Sequence, residues 1–171
     1  SYSSFLTEYI FEPSNMDFTG YKSITIGADK LAHGYYYNIT NEKWTDWGTT
    51  QDHLPSNSNH WYSIGKGDIQ SSAEDLYKWH IALESNGVLS SKSREIQETP
   101  YVAENDNKTS YYGYGWAVFT SDRDTKIVTH NGSNGVYFAD FIRFIDDDVV
   151  IVYLTNAFLG NESESGAWEI S

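Results

Sequence analysis

The sequence predicts an α+β domain in which helices pack against an antiparallel sheet. Three features lead there. Residues 136–145 and 149–154 are apolar on nearly every position, as strands covered on both faces are, with Asp146-Asp147-Asp148 as a solvated turn between them. A helical spacing opens at Ser72, and segments rich in Tyr and Trp alternate with turn residues elsewhere along the chain.

Taken in order, residues 4–11 place Phe5, Leu6, Tyr9 and Ile10 at helical spacing and stop at Glu12-Pro13, which reads as the end of a helix. Residues 14–21 are turn-rich, and 24–27 are too short to assign. Residues 31–38 and 41–47 read as a strand pair joined around Asn38–Asn41. Residues 49–63 form a long polar loop containing Pro55, of the kind that often carries function in a compact domain.

Ser72 is a good N-cap with Asp75 three residues on, and Leu76, Trp79, Ile81 and Leu83 supply the apolar positions of the helix. That helix should end near Asn86-Gly87, with Gly87 in the left-handed cap position. Residues 90–99 read as a second short helix stopped by Pro100, and 104–110 as a polar loop. Residues 112–119 read as one strand containing glycines, and 121–124 as a turn. Asn131-Gly132-Ser133-Asn134-Gly135 reads as a tight polar turn ahead of the two apolar strands, which form an antiparallel hairpin. This places a small polar pocket at the mouth of a buried sheet, centred on His130, Asn131, Gly132 and Ser133. No repeat or linker divides residues 1–171, so a single domain is expected.

Composition narrows the functions. Eleven basic against twenty-four acidic residues give a formal charge of −13, which would repel a phosphate backbone or an anionic membrane surface. The acidic residues are spread along the chain and read as a solvated surface. With no cysteine there is no disulfide, thiolate metal site or cysteine nucleophile. No apolar stretch approaches the roughly 20 residues needed to span a bilayer. His33, His53, His60 and His80 show no metal-ligand spacing and read as structural or surface residues, and no metal or cofactor is expected. The Asp146-Asp147-Asp148 run lacks the regularly spaced oxygen ligands of a calcium loop.

Several segments in this order resemble the C-terminal half of the serine β-lactamase-like family, which includes class C β-lactamases, related esterases and D-amino-peptidases. They are FLTEYIFEPSNMDFTGY (5–21), LAHGY (31–35), GDIQSSAEDL (67–76), NGVL (86–89), YGYGWAV (112–118) and HNGSNGVYFADFIRF…VVIVYLTN (130–156). The resemblance implies a partial β-lactamase/transpeptidase-like fold and a site made of three motifs: a Ser-x-x-Lys nucleophile at a helix start, a Tyr-x-Asn, and a Lys-Thr-Gly or His-x-Gly on a strand. His130-Asn131-Gly132 matches the third. By resemblance, His130 adjusts the electrostatics of the Tyr base and holds substrate, and Asn131 fills the middle position. Gly132 lets substrate approach the strand backbone, and the Ser133 backbone N–H is one of two oxyanion donors.

Two matches to the other motifs are in the wrong context. Ser63-Ile64-Gly65-Lys66 fits Ser-x-x-Lys by letters but lies among glycines rather than on a helix turn that would hold Lys beside Ser. Tyr36-Tyr37-Asn38 fits Tyr-x-Asn but sits in a predicted strand, out of motif order. The expectation is therefore a C-terminal portion of a larger domain whose first two motifs lie upstream of Ser1, inactive by itself and exported to the periplasm or secreted, as the resemblance implies. The intact protein would act through an acyl-enzyme on an ester, peptide or β-lactam carbonyl of a small-molecule or peptide substrate. Apolar faces of residues 136–145 and 149–154 left uncovered would favour a homodimer, exchanged elements or a companion N-terminal fragment. The alternatives are a secreted module that binds sugars or peptides on surface Tyr and Trp rings, and a catalytically dead homologue that only binds.

Overall fold

A computed structural model describes residues 1–21, 30–53 and 64–157. Its centre is a six-stranded sheet in which every strand pairs antiparallel with its sequence neighbour. The strands are β3 (Val102–Ala103), β4 (Ser110–Tyr112), β5 (Ala117–Thr120), β6 (Lys126–Ser133), β7 (Phe138–Phe144) and β8 (Val149–Thr155). A separate hairpin pairs β1 (Gly34–Asn38) with β2 (Lys43–Gly48). The helices are α1 (Tyr2–Leu6), continued by a π-helical turn over Thr7–Phe11, α2 (Thr50–His53), α3 (Ala73–Glu84) and α4 (Ser91–Gln97).

Alternation across the pleat gives the sheet two apolar faces. Val118, Val128 and Phe141 pack with Trp116 and with Leu83 of α3 on one face. Their neighbours Ile127, Ile142 and Phe144 gather on the other with Phe119, Ile151 and Tyr153. The run along β7 thus has the burial that its two-sided pattern predicts, whereas β8, the last strand of the sheet among the described residues, has only half-buried and exposed residues. The expected uncovered face is absent along residues 136–144, where Val136, Phe141, Ile142 and Phe144 are buried; Val149 and Leu154 of β8 are the large apolar residues exposed along these two runs.

Ser72 caps α3, its Oγ accepting from the Asp75 N–H at 3.1 Å. Asp75 does more than support the cap. Fully buried, its carboxylate accepts from the Phe18 N–H at 2.7 Å and the Thr19 hydroxyl at 2.9 Å, and it pairs with Lys78 at 3.0 Å. It therefore ties the N-terminal segment to α3, and Leu6, Phe11, Met16 and Tyr21 pack with Trp79 beside it. At the other end, the left-handed cap residue is Asn86 (φ 58°), not Gly87 as expected. Asn tolerates that region, and the Gly87 N–H still closes the helix onto the Ala82 carbonyl at 3.0 Å.

The expected single strand over residues 112–119 is instead two strands and a tight turn. The Gly113 N–H donates to the Trp116 carbonyl at 2.7 Å, and Gly115 has φ 80°. A Cβ at Gly113 would sit 2.5 Å from the Gln97 carbonyl oxygen, so this glycine lets the turn pass close over the end of α4. Arg143 of β7 then fastens both helix ends to the sheet. It is 1% exposed, bonds Glu98 at 2.5 Å and also bonds Glu84.

The β1–β2 hairpin docks on the β6–β7 turn and on the end of β8. The Tyr137 hydroxyl donates to the Ala32 carbonyl at 2.6 Å, with the Gly48 carbonyl at 3.2 Å, and burial raises its pKa above the usual tyrosine value. The Tyr35 N–H donates to the Asn156 carbonyl at 2.7 Å, and the Asn156 side-chain amide to the His33 carbonyl at 2.7 Å.

His80 of α3 is buried, and desolvation, with Arg143 nearby and Arg94 in support, holds its pKa below 6.5 against the opposing pull of Glu84 and Asp148. The unfolded chain therefore takes up this proton first as pH falls. Stability should be complete above pH 6.5 and decline as pH drops through that value toward the lower folded pKa. Urea midpoints for the native chain and His80→Gln, compared at neutral and mildly acidic pH, should converge as the substitution removes this component. An unchanged pH slope in the variant would contradict the assignment.

Candidate active site

The four residues His130-Asn131-Gly132-Ser133 lie on the C-terminal half of β6, not in a turn. The turn starts at Asn134, whose side-chain oxygen accepts from Val136 and Tyr137 N–H groups at 3.0 and 2.8 Å, with Gly135 at φ 89°. Ser133 Oγ reinforces it, donating to the Tyr137 carbonyl at 2.9 Å and accepting from the Gly135 N–H at 2.9 Å. Two apolar strands joined by such a turn let the strand run further than the polar letters alone indicate.

Pairing around β6 is lopsided. On one side it runs with β7 throughout, His130 opposite Phe141 and Ser133 opposite Phe138. On the other side the ladder with β5 stops at Thr129, opposite Ala117, because the chain turns away through Gly113–Trp116. Peptide groups in an antiparallel strand point alternately to either neighbour. Lys126 offers its carbonyl to Ile145 on the β7 side, whereas Thr125 offers its own to Ser121 on the β5 side. The same alternation directs His130 and Gly132 toward β7, and Asn131 and Ser133 toward the open edge. All four residues are exposed.

Gly132 has no structural demand on it. A Cβ there would meet nothing within 4 Å among the described residues, in contrast to the crowding at Gly113 or at Gly34, where it would lie 2.5 Å from Val136. Its φ lies outside the left-handed region. The missing side chain leaves space over the open edge rather than relieving strain.

His130 Nε2 lies 2.9 Å from the Tyr112 hydroxyl, the two rings meeting edge to face at 6.2 Å. Sequence reasoning missed Tyr112, since only the register of β4 against β5 and β6 brings it alongside. It also missed Asp140, buried opposite Asn131 in register and bonded to Thr129 Oγ1 at 3.1 Å. A carboxylate inside a mostly apolar run was the available signal.

The remaining letter matches separate from this site. Ser63 lies outside the described residues, and Ile64 to Gly67 form a bridged turn with Gly65 at φ 94°, not a helix. Tyr36, Tyr37 and Asn38 are on β1, and Asn38 Oδ1 is engaged by the Thr40 N–H at 3.0 Å. His33 pairs with Asp46 at 3.1 Å, and His53 stacks on Trp47 at 3.7 Å. His60 lies outside the described residues. Among the described residues no cluster of His, Asp and Glu could hold a metal, and no helix is long and apolar enough to cross a membrane. Tyr37 and Trp44, exposed on the hairpin, meet edge to face at 64° and make no flat ring platform.

Comparison with known proteins adds a fold and a family. The chain is 29% identical over 162 residues to penicillin-binding protein 4* of Bacillus subtilis (strain 168), covering 91% of this chain and 35% of that protein. Among solved structures, it resembles the octameric penicillin-binding protein homologue from Pyrococcus abyssi (TM-score 0.74, 20% identity, 94% of this chain, 35% of that one). It also resembles the D-amino acid amidase from Ochrobactrum anthropi SV3 complexed with L-phenylalanine amide (TM-score 0.68, 20% identity, 95% of this chain, 48% of that one). The chain thus spans between about a third and a half of the length of these relatives. At these identities the structural likenesses establish a shared α+β fold. A model of the family described as Beta-lactamase matches residues 1–170, and the chain belongs to the beta-lactamase family.

Proposed function

We propose that this chain supplies the substrate-pairing strand of a serine hydrolase that cleaves ester, amide or β-lactam carbonyls through an acyl-enzyme. The observation that carries the reading is the open edge of β6, where Asn131 and Ser133 present peptide groups with no neighbouring strand among the described residues. An extended substrate can add there as a further strand, its backbone bonded to Asn131 and Ser133 and its reacting carbonyl oxygen on the Ser133 N–H. Gly132 leaves the approach clear. His130 adds a polar donor beside the reacting carbonyl.

The nucleophile and its base come, in this reading, from Ser-x-x-Lys and Tyr-x-Asn motifs outside these 171 residues. The serine oxygen forms the new bond to the carbonyl carbon, the alcohol, amine or lactam nitrogen leaves with a proton, and water then releases the acid. One oxyanion donor without the nucleophile cannot start this sequence.

Intact mass spectrometry after treatment with a fluorophosphonate or penicillin tests the reading. The full-length gene product should gain a single adduct, and the 171-residue chain none. A full-length protein that never takes up an acyl or phosphonyl group would overturn it.

A further inference from the structure

We infer that Tyr112 is a positioning residue for His130, selecting the ring tautomer that His130 offers to substrate. This deepens the hydrolase reading and rests on it for the substrate, though not for the geometry. Tyr112 ends β4, where it pairs with Ala117 of β5, and Ala117 in turn pairs with Thr129, the last residue of β6 covered on that side. The next residue on β6 is His130, and its Nε2 lies 2.9 Å from the Tyr112 hydroxyl. The phenol thus stands at the point where the ladder opens.

Chemistry assigns the direction of this hydrogen bond. A phenol is a good donor and a weak acceptor, while an imidazole nitrogen lacking a proton is a strong acceptor. With Tyr112 donating, Nε2 carries the lone pair and the ring proton sits on Nδ1. Nδ1 has no hydrogen-bond partner among the described residues, and His130 is exposed. Its N–H is free for a carbonyl or carboxylate oxygen of a substrate lying along the edge. Without the phenol, the imidazole would rotate and exchange tautomers, and the donor would face the edge only part of the time.

Tyr112 is half-buried, and Gly113 after it is confined by the carbonyls of Gln97 and Thr99. Phe at position 112 keeps the ring volume and removes the hydroxyl alone. The register of the turn is therefore preserved in that variant.

The test reads the ring directly by two-bond 1H–15N correlation spectra of the histidines, recorded above the imidazole titration range. The expected result is protonated Nδ1 and bare Nε2 at His130 in the native chain, with Tyr112→Phe moving the ring nitrogens toward the opposite tautomer. A native His130 protonated on Nε2, or a Tyr112→Phe spectrum identical to the native one, would overturn the inference. The native spectrum decides the first point even if the variant folds poorly. Neither readout requires turnover, so failure of the hydrolase reading in the acylation experiment and failure of this inference are told apart.

Discussion

Ser133→Pro in the full-length protein should lower the rate of acylation by about 10²- to 10³-fold, the usual cost of deleting one oxyanion donor. Proline removes the N–H aimed at the open edge, where a strand can lose a donor without breaking a ladder bond. It also removes the Ser133 hydroxyl, which bonds the Tyr137 carbonyl and the Gly135 N–H. Ser133→Ala is therefore the necessary control. It loses the same two side-chain bonds but keeps the backbone N–H, and should retain acylation to within a few-fold. Rates of burst-phase adduct formation separate the two. Equal losses in both variants would assign Ser133 to turn stability alone and remove the backbone donor from the proposal.

Arg143→Met should destabilise the chain by about 3–5 kcal/mol, because it strands the buried Glu98 carboxylate, whereas Glu84 is partly in solvent and keeps Arg94 at 3.0 Å. Arg143 is 1% exposed, and the Glu98 side chain beside it is 6% exposed. Lys126, at 3.8 Å from Glu98 and partly in solvent, cannot replace the guanidinium fork. A stability of only 5–15 kcal/mol is usual for a domain, so such a loss would show as a large fall in the urea midpoint. Adding Glu98→Gln should recover part of it, since the stranded charge is then gone. A loss below about 1 kcal/mol, the range of exposed ion pairs, would show that the cluster is solvated.

The apolar pattern made the centre of the fold legible. Residues 136–145 announce a buried strand by filling both side-chain parities, and Asp146-Asp147-Asp148 can only join it to the next at the surface. The same pattern over 149–154 overstated the burial, because β8 is an edge strand among the described residues, with no buried residue. Ser72 and Ser90 mark helix starts because a side-chain oxygen there satisfies an otherwise orphaned N–H. The reading failed where long-range contacts decide. Gly113 looks like a residue within a strand until the Gln97 and Thr99 carbonyls are seen pressing on it. Asn86 takes the left-handed position although a glycine follows it.

The candidate site shows the same division. His130, Asn131, Gly132 and Ser133 stood out as polar residues next to buried strands, and the family resemblance gave them roles. That they form a strand with one open edge could not be read from their letters, which favour a turn. The opening depends on β5 beginning only at Ala117, and so on the close packing of the Gly113 turn. Tyr112 and Asp140 belong to the surroundings only through register, which no local pattern reveals.

Amide hydrogen exchange along β6 tests the open edge most directly. In the free chain, His130 and Gly132 should be protected through their bonds to β7, while Asn131 and Ser133 exchange rapidly between them. Acylation of the full-length protein by a substrate that lies along the edge should slow Ser133 and leave the protection of His130 and Gly132 unchanged. Protection of Asn131 and Ser133 equal to that of Thr129 in the free protein would mean that the edge is already covered, and would contradict the pairing of substrate with this strand.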